Sequence, residues 1–107
     1  MEKHEEIDRR SLALATVIAD AIDRDAAREG LSRARQTCAR WLAAAPVPAI
    51  VEWLGLLQRE WPEIRAELLD PGERGRRLRQ SSPFCGILSP RERWEIYRRF
   101  SREHHAA

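Results

Sequence analysis

Lysine is almost missing from this chain: of 19 basic residues 18 are arginine, and the only lysine is Lys3. Any basic recognition therefore relies on planar guanidinium forks, which match carboxylate and phosphate geometry, although an Arg- and Ala-rich composition is also what a GC-rich coding sequence produces. Cysteine is scarce too. Cys38 and Cys85 are too few and too far apart for a disulfide framework or a zinc knuckle, and their apolar neighbours predict two buried thiols. Histidine occurs only as His4, His104 and His105, at the two ends of the chain. A nucleophile needs an adjacent base, and the interior supplies none, so no catalytic residues and no enzyme are expected. Neither a Gly-rich phosphate loop, a His-Glu-x-x-His pattern nor paired cysteines is present, so no cofactor and no metal site is expected; His104-His105 reads as a terminal scrap. Asp20, Asp23 and Asp25 read as cap and solvent residues. No apolar run approaches the ~20 residues of a membrane span, and charge dominates residues 1–10, which disfavours a secretory leader. A cytoplasmic protein is expected. Threonine occurs only at Thr16 and Thr37, and no stretch alternates apolar with polar, which argues against strands.

What is present suits one helical domain over residues 1–107. Apolar residues make up 43% and charged residues 34% of the 107, well away from disordered composition and enough to bury roughly two thirds of the unfolded surface. No internal repeat is visible. Net charge is +2, unevenly placed: residues 1–71 balance at −3 and residues 72–107 at +5. A basic end of this kind suits phosphate or an acidic partner.

Helical spacing organises the chain. Ile7, Leu14, Ile18 and Ala21 form a stripe over residues 5–22, widened by Leu12, Ala15, Val17 and Ile22, and a stripe so broad predicts contact on more than one side. Asp23-Arg24-Asp25 is a polar break, with Gly30 blurring the next start. Leu31, Ala34, Cys38, Trp41 and Leu42 then repeat until Pro46, which ends the helix because the residue before a proline avoids helical dihedrals. Pro48 opens a third helix over about residues 49–58, carrying Ile50, Val51, Trp53, Leu54 and Leu57. Pro62 opens a fourth through Ile64, Leu68 and Leu69, and Asp70 as N-cap with Pro71 as N1 predicts a fifth. The loop over residues 81–88 is more apolar than a solvated loop, which predicts that Phe84, Ile87 and Leu88 fold back onto the core and that Gly86 takes a dihedral other residues avoid. Ser89, Pro90 and Glu92 form a capping box that starts a last helix to about residue 102, with Trp94, Tyr97 and Phe100 at spacing three, Ile96 offset, and Arg91, Arg98 and Arg102 near the opposite side. Fraying is expected at residues 1–4 and 103–107.

The run Leu88-Ser89-Pro90-Arg91-Glu92-Arg93 resembles the opening of the LuxR-type helix-turn-helix, in which a Leu-Ser/Thr-Pro-Arg-Glu segment begins the first helix. The resemblance covers six of the 107 residues. It would imply a reading helix further downstream, where roughly one helix follows here and aromatics stand in the place of the next, so a local cap is the better account.

The reading is therefore an all-α bundle of five or six helices, a long N-terminal helical hairpin with short proline-started helices closing over it. Its expected role is non-enzymatic: a small protein–protein interaction, accessory or regulatory module, of the bacterial antitoxin-like or adaptor kind, with a protein partner or a second copy of itself. Trp61, between Glu60 and Pro62, is the expected exposed contact, and Ile7, Leu14 and Ile18 are the expected self-contact. The alternative is a nucleic-acid-binding regulator using Arg74, Arg76, Arg77, Arg79, Arg98 and Arg102, with Trp94 or Tyr97 stacking on a base. The competing account of those arginines is a solvated face paired with neighbouring acids.

Overall fold

The computed structural model describes residues 3–105, and side-chain surroundings from 5 to 102. Among the described residues there are six helices and no strand: α1 (Lys3–Arg24), α2 (Glu29–Ala44), α3 (Pro48–Leu56), α4 (Trp61–Leu68), α5 (Glu73–Arg79) and α6 (Pro90–His105). The outermost part of the expected fraying, residues 1, 2, 106 and 107, lies outside the described residues, while helical backbone reaches Lys3 and His105.

Local chemistry accounts for the boundaries. In α1, Glu5 and Glu6 occupy the first turn and Arg24 the last, the placement that complements the helix dipole. Asp25 then organises the reversal, its carboxylate accepting from the amides of Ala27 at 3.1 Å and Glu29 at 2.8 Å. Arg28 closes that turn in the left-handed region, at φ 50°, ψ 48°. An arginine pays a backbone penalty there, and its guanidinium is tied down by donating to the Ile22 carbonyl at 3.2 Å. Before Pro46, Ala45 is extended and α2 stops. Pro48 opens α3, and Pro62 sits in the first turn of α4, where a missing N–H leaves no bond unmade.

The start of α5 differs from the sequence reading. Its N-cap is Gly72, not Asp70. The two oxygens of Asp70 act from outside the helix, accepting from the amides of Gly72 at 3.0 Å and Gly75 at 3.1 Å. Gly75 lies so close to the Asp70 carbonyl that a Cβ there would collide with backbone. At α6 the capping box forms in both directions: the Glu92 amide donates to Ser89 Oγ at 3.1 Å and the Ser89 amide to Glu92 Oε1 at 2.9 Å. Ser89, through its amide first and its hydroxyl second, holds the Glu92 carboxyl below its ordinary pKa.

One apolar cluster joins every helix. Ala15, Ile18, Ala19 and Ile22 of α1 follow the i, i+3, i+4, i+7 pattern, and α1 packs against α2, α4, α5 and α6. Trp53 and Phe84 are fully enclosed, with ring centroids 5.8 Å apart and near edge-on, and the Trp53 indole donates to the Leu78 carbonyl at 2.9 Å. Phe84 and Leu88 thus bring the 81–88 loop into the core, as its apolar composition predicts, with Ile87 packed against it. Trp41 and Leu54 are partly buried against the same cluster.

Three local expectations are corrected. Gly86 does not take a positive φ; Arg28 is the residue that does. Cys38 is buried, its thiol facing the Ile50 carbonyl, but Cys85 is exposed because Phe84 beside it takes the inward position. In α6 the inward pair is Ile96 and Phe100, each 7% exposed, and Trp94 is turned out at 58%. Spacing four, not three, governs which side of that helix meets α1.

Candidate functional site

The basic residues of the last third divide into three groups. In α5 the exposed guanidiniums are occupied by acids of other elements. Arg74 bonds Glu67 at 2.8 Å and Glu52 at 3.3 Å, Arg77 bonds Glu52 at 2.6 Å, and Arg76 bonds Asp8 at 3.2 Å. The hydrogen bond from Arg77, helped by the charge of Arg74, holds the Glu52 carboxyl below its ordinary pKa. These pairs are half-exposed and individually weak, but they place carboxylates directly on the arginines expected to meet phosphate.

Arg79 is different, being 9% exposed. The phase of α5 explains this, since Gly75, Leu78 and Arg79 form its i, i+3, i+4 face and all three are buried. Nη1 donates to the carbonyls of Leu68 at 2.9 Å and Asp70 at 2.7 Å, so the side chain staples the end of α4 to α5. Burial pulls its pKa down and the charges of Asp70 and Asp8 push it back up. A guanidinium stays protonated throughout the neutral range.

The third group is on α6. Among the described side chains, Arg98, Arg99 and Arg102 pair with no carboxylate. Together with Glu95 they line a shallow surface groove. Arg98 lies over the exposed Trp94 ring, 4.8 Å from its centroid, a cation–π arrangement. Arg91 meets Glu95 only loosely, at 3.6 Å. On the inner side of the same helix Arg10 of α1 covers Tyr97 at 4.9 Å.

The residues expected to mediate protein contact are rearranged. Trp61 is 5% exposed, not a surface anchor. Its indole donates to Asp23 Oδ1 at 2.7 Å, its ring tilts against Phe84, and Arg65 bridges Asp23 at 2.9 Å and Asp20 at 3.0 Å. Asp20 and Asp23 thereby join an ion-pair network instead of standing free in solvent, and the Asp23 carboxyl is held below its ordinary pKa, first by the indole hydrogen bond and then by Arg65. The polar neighbours of Trp61 in sequence concealed this, because the packing partner comes from 38 positions away. Of the α1 stripe, Ile18 is 7% exposed and belongs to the core, Leu14 is partly buried against it, and Ile7 is 45% exposed. The three do not form one outward face.

A pocket of about 270 Å³ opens between α1, α2, the end of α4, the stretch from Arg79 through the α5–α6 loop, and the start of α6, lined by Leu14, Trp41 and Phe84 and by the polar side chains of Ser11, Arg79 and Arg93. Sequence reasoning missed it, as its lining is assembled from five separate segments. Among the described residues no group of acids, cysteines and histidines is placed to hold a metal ion, and no helix is long and apolar enough to cross a membrane. No family model, curated protein or solved structure matches this chain.

Proposed function

We propose that this chain is a non-enzymatic interaction module that engages an acidic segment of a partner protein through the outward face of α6. The observation carrying the reading is the exposed Trp94 with Arg98 stacked on it, beside Arg99 and Arg102, which have no carboxylate partner among the described side chains. An indole left in water loses the burial that normally stabilises it, and tryptophan and arginine are, with tyrosine, the residue types enriched at energetic centres of protein interfaces. Guanidiniums with no carboxylate partner among the described side chains supply complementary charge for Asp and Glu, with bidentate geometry. The face suits a protein better than a nucleic-acid backbone. Three guanidiniums without a carboxylate partner among the described side chains neutralise about three phosphates, which gives only weak sequence-independent affinity at physiological salt, and the α5 arginines are already paired with Glu52, Glu67 and Asp8.

The test places a benzophenone amino acid at position 94 and, as a control, at the exposed Ala39 of α2, and irradiates the source cells. A discrete protein adduct at position 94 alone, lost in Arg98→Glu/Arg102→Glu, supports the reading. Nuclease-sensitive adducts would move it to the nucleic-acid class, and equal adducts at both positions would remove it.

A further inference from the structure

We propose that the pocket beside α1 is a binding site for a small carboxylic acid with an apolar body, held by the guanidinium of Arg79. The site is distinct from the α6 face and independent of it.

Arg79 is a buried cation with no carboxylate in contact: its ion pairs are absent among the described residues, and its two protein hydrogen bonds both leave from Nη1 to backbone carbonyls. Nε has no partner at all. An enclosed donor without an acceptor is rare because its lost hydration is not replaced, and the charges of Asp70 and Asp8 offset only part of the cost of burying the guanidinium. Nε is itself sealed from solvent, so a carboxylate in the pocket is taken by Nη2, the guanidinium nitrogen that is neither sealed nor bonded, in a charge-assisted hydrogen bond. Arg79 lines the pocket, so the missing anion has a place to come from.

The rest of the lining describes the ligand. Leu14, Ile18, Trp41, Leu68, Phe84 and Leu88 make most of the wall apolar, while Ser11, Ser81, Ser82 and Arg93 contribute polar groups. Ser82 Oγ accepts from the Phe84 amide at 3.2 Å, which leaves its hydroxyl hydrogen free to donate. A dry cavity of about 150 Å³ holds benzene, so 270 Å³ accommodates one charged head and a body larger than a single ring. A monoanion suits this lining, because Asp70 and Asp8 already offset part of the Arg79 charge and, in a mostly apolar pocket, a second negative charge would have only the partly exposed Arg93 to meet it.

The experiment titrates the full chain with octanoate and, separately, with octanol, following backbone amide resonances. Octanoate should shift Ser81, Ser82 and Phe84 saturably, with octanol weaker by about ten-fold or more, the factor that a hydrogen bond to a charged group contributes. Arg79→Lys keeps the charge, but its single ammonium cannot hold the Leu68 and Asp70 carbonyls and also reach the ligand, so it should weaken octanoate by a similar factor. If that variant does not fold, Leu14→Trp, which fills the pocket and leaves Arg79 in the chain, should abolish the shifts. Equal affinity for acid and alcohol, no saturation at millimolar octanoate, or shifts confined to Arg98 and Arg102 would each overturn the assignment.

Discussion

Truncating Phe84 tests whether the loop between α5 and α6 is part of the core or a surface connection. Its ring is fully enclosed, edge-on to Trp53 at 5.8 Å and tilted against Trp61 at 6.3 Å. Phe84→Ala removes a ring from a site whose ring neighbours belong to two separate helices, α3 and α4, so little collapse can refill it; about 4 kcal/mol of stability should be lost. In a domain of this size that lowers the melting midpoint by about 20 °C, and it consumes a large share of the ~5–15 kcal/mol by which folded domains exceed their unfolded states. Phe84→Leu, which keeps most of the volume, should lose about 1.5 kcal/mol. Urea denaturation followed by far-UV circular dichroism measures both, and a cycle with Trp53→Leu isolates the ring–ring coupling, expected near 1 kcal/mol. A loss below about 1 kcal/mol for Phe84→Ala would show that the 81–88 loop is peripheral and that the enclosure described for it is wrong.

Further outcomes follow from single sites. Ile18→Asp should abolish cooperative folding in a thermal melt, since a charge enters the α1 core; a folded variant with only its assembly state changed would restore the outward role first expected of Ile18. Stability should fall on acidification. Asp23, Glu52 and Glu92 are each more acidic folded than unfolded, so their contribution is complete above the unfolded carboxylate range near pH ~4 and is withdrawn as pH drops through the lower folded values. Urea midpoints measured from neutral pH downward should show that decline, and Asp23→Asn should flatten part of it. Gly75→Ala should lose about 3 kcal/mol because the added methyl group meets the Asp70 carbonyl, and an unchanged midpoint would contradict the close approach of α5 to residue 70. Ser89→Ala should lose about 1 kcal/mol with the cap of α6, whereas Ser89→Asp should be near neutral by the same measurement.

Proline and capping chemistry made the helix order readable from residues alone. Pro46 ends α2, Pro48 opens α3, Pro62 lies in the first turn of α4 and Ser89 with Glu92 starts α6, all through hydrogen bonds or dihedrals fixed within a few residues. The inward placement of Phe84 and Leu88 was readable for a related reason, since an apolar loop has nowhere else to go. Side-chain environment was not readable wherever partners are distant in sequence. The flanking Glu60, Pro62 and Glu63 point Trp61 toward solvent, yet Asp23 and Phe84 enclose it. Trp94 was grouped with Tyr97 and Phe100 by spacing, yet only the position of α1 decides that Ile96 and Phe100 face inward.

The arginines separate the two levels most clearly. Composition and order alone determined an all-helical chain whose basic charge gathers toward its carboxyl end, because helix propensity, proline geometry and charge are properties of residues and their near neighbours. Which guanidinium is spent on Glu52, Glu67 or Asp8, which is sealed against Leu68 and Asp70, and which remains open on α6 was decided only by the tertiary structure. Electrostatic pairing and desolvation act between groups brought together by folding, and neither is written in spacing along the chain.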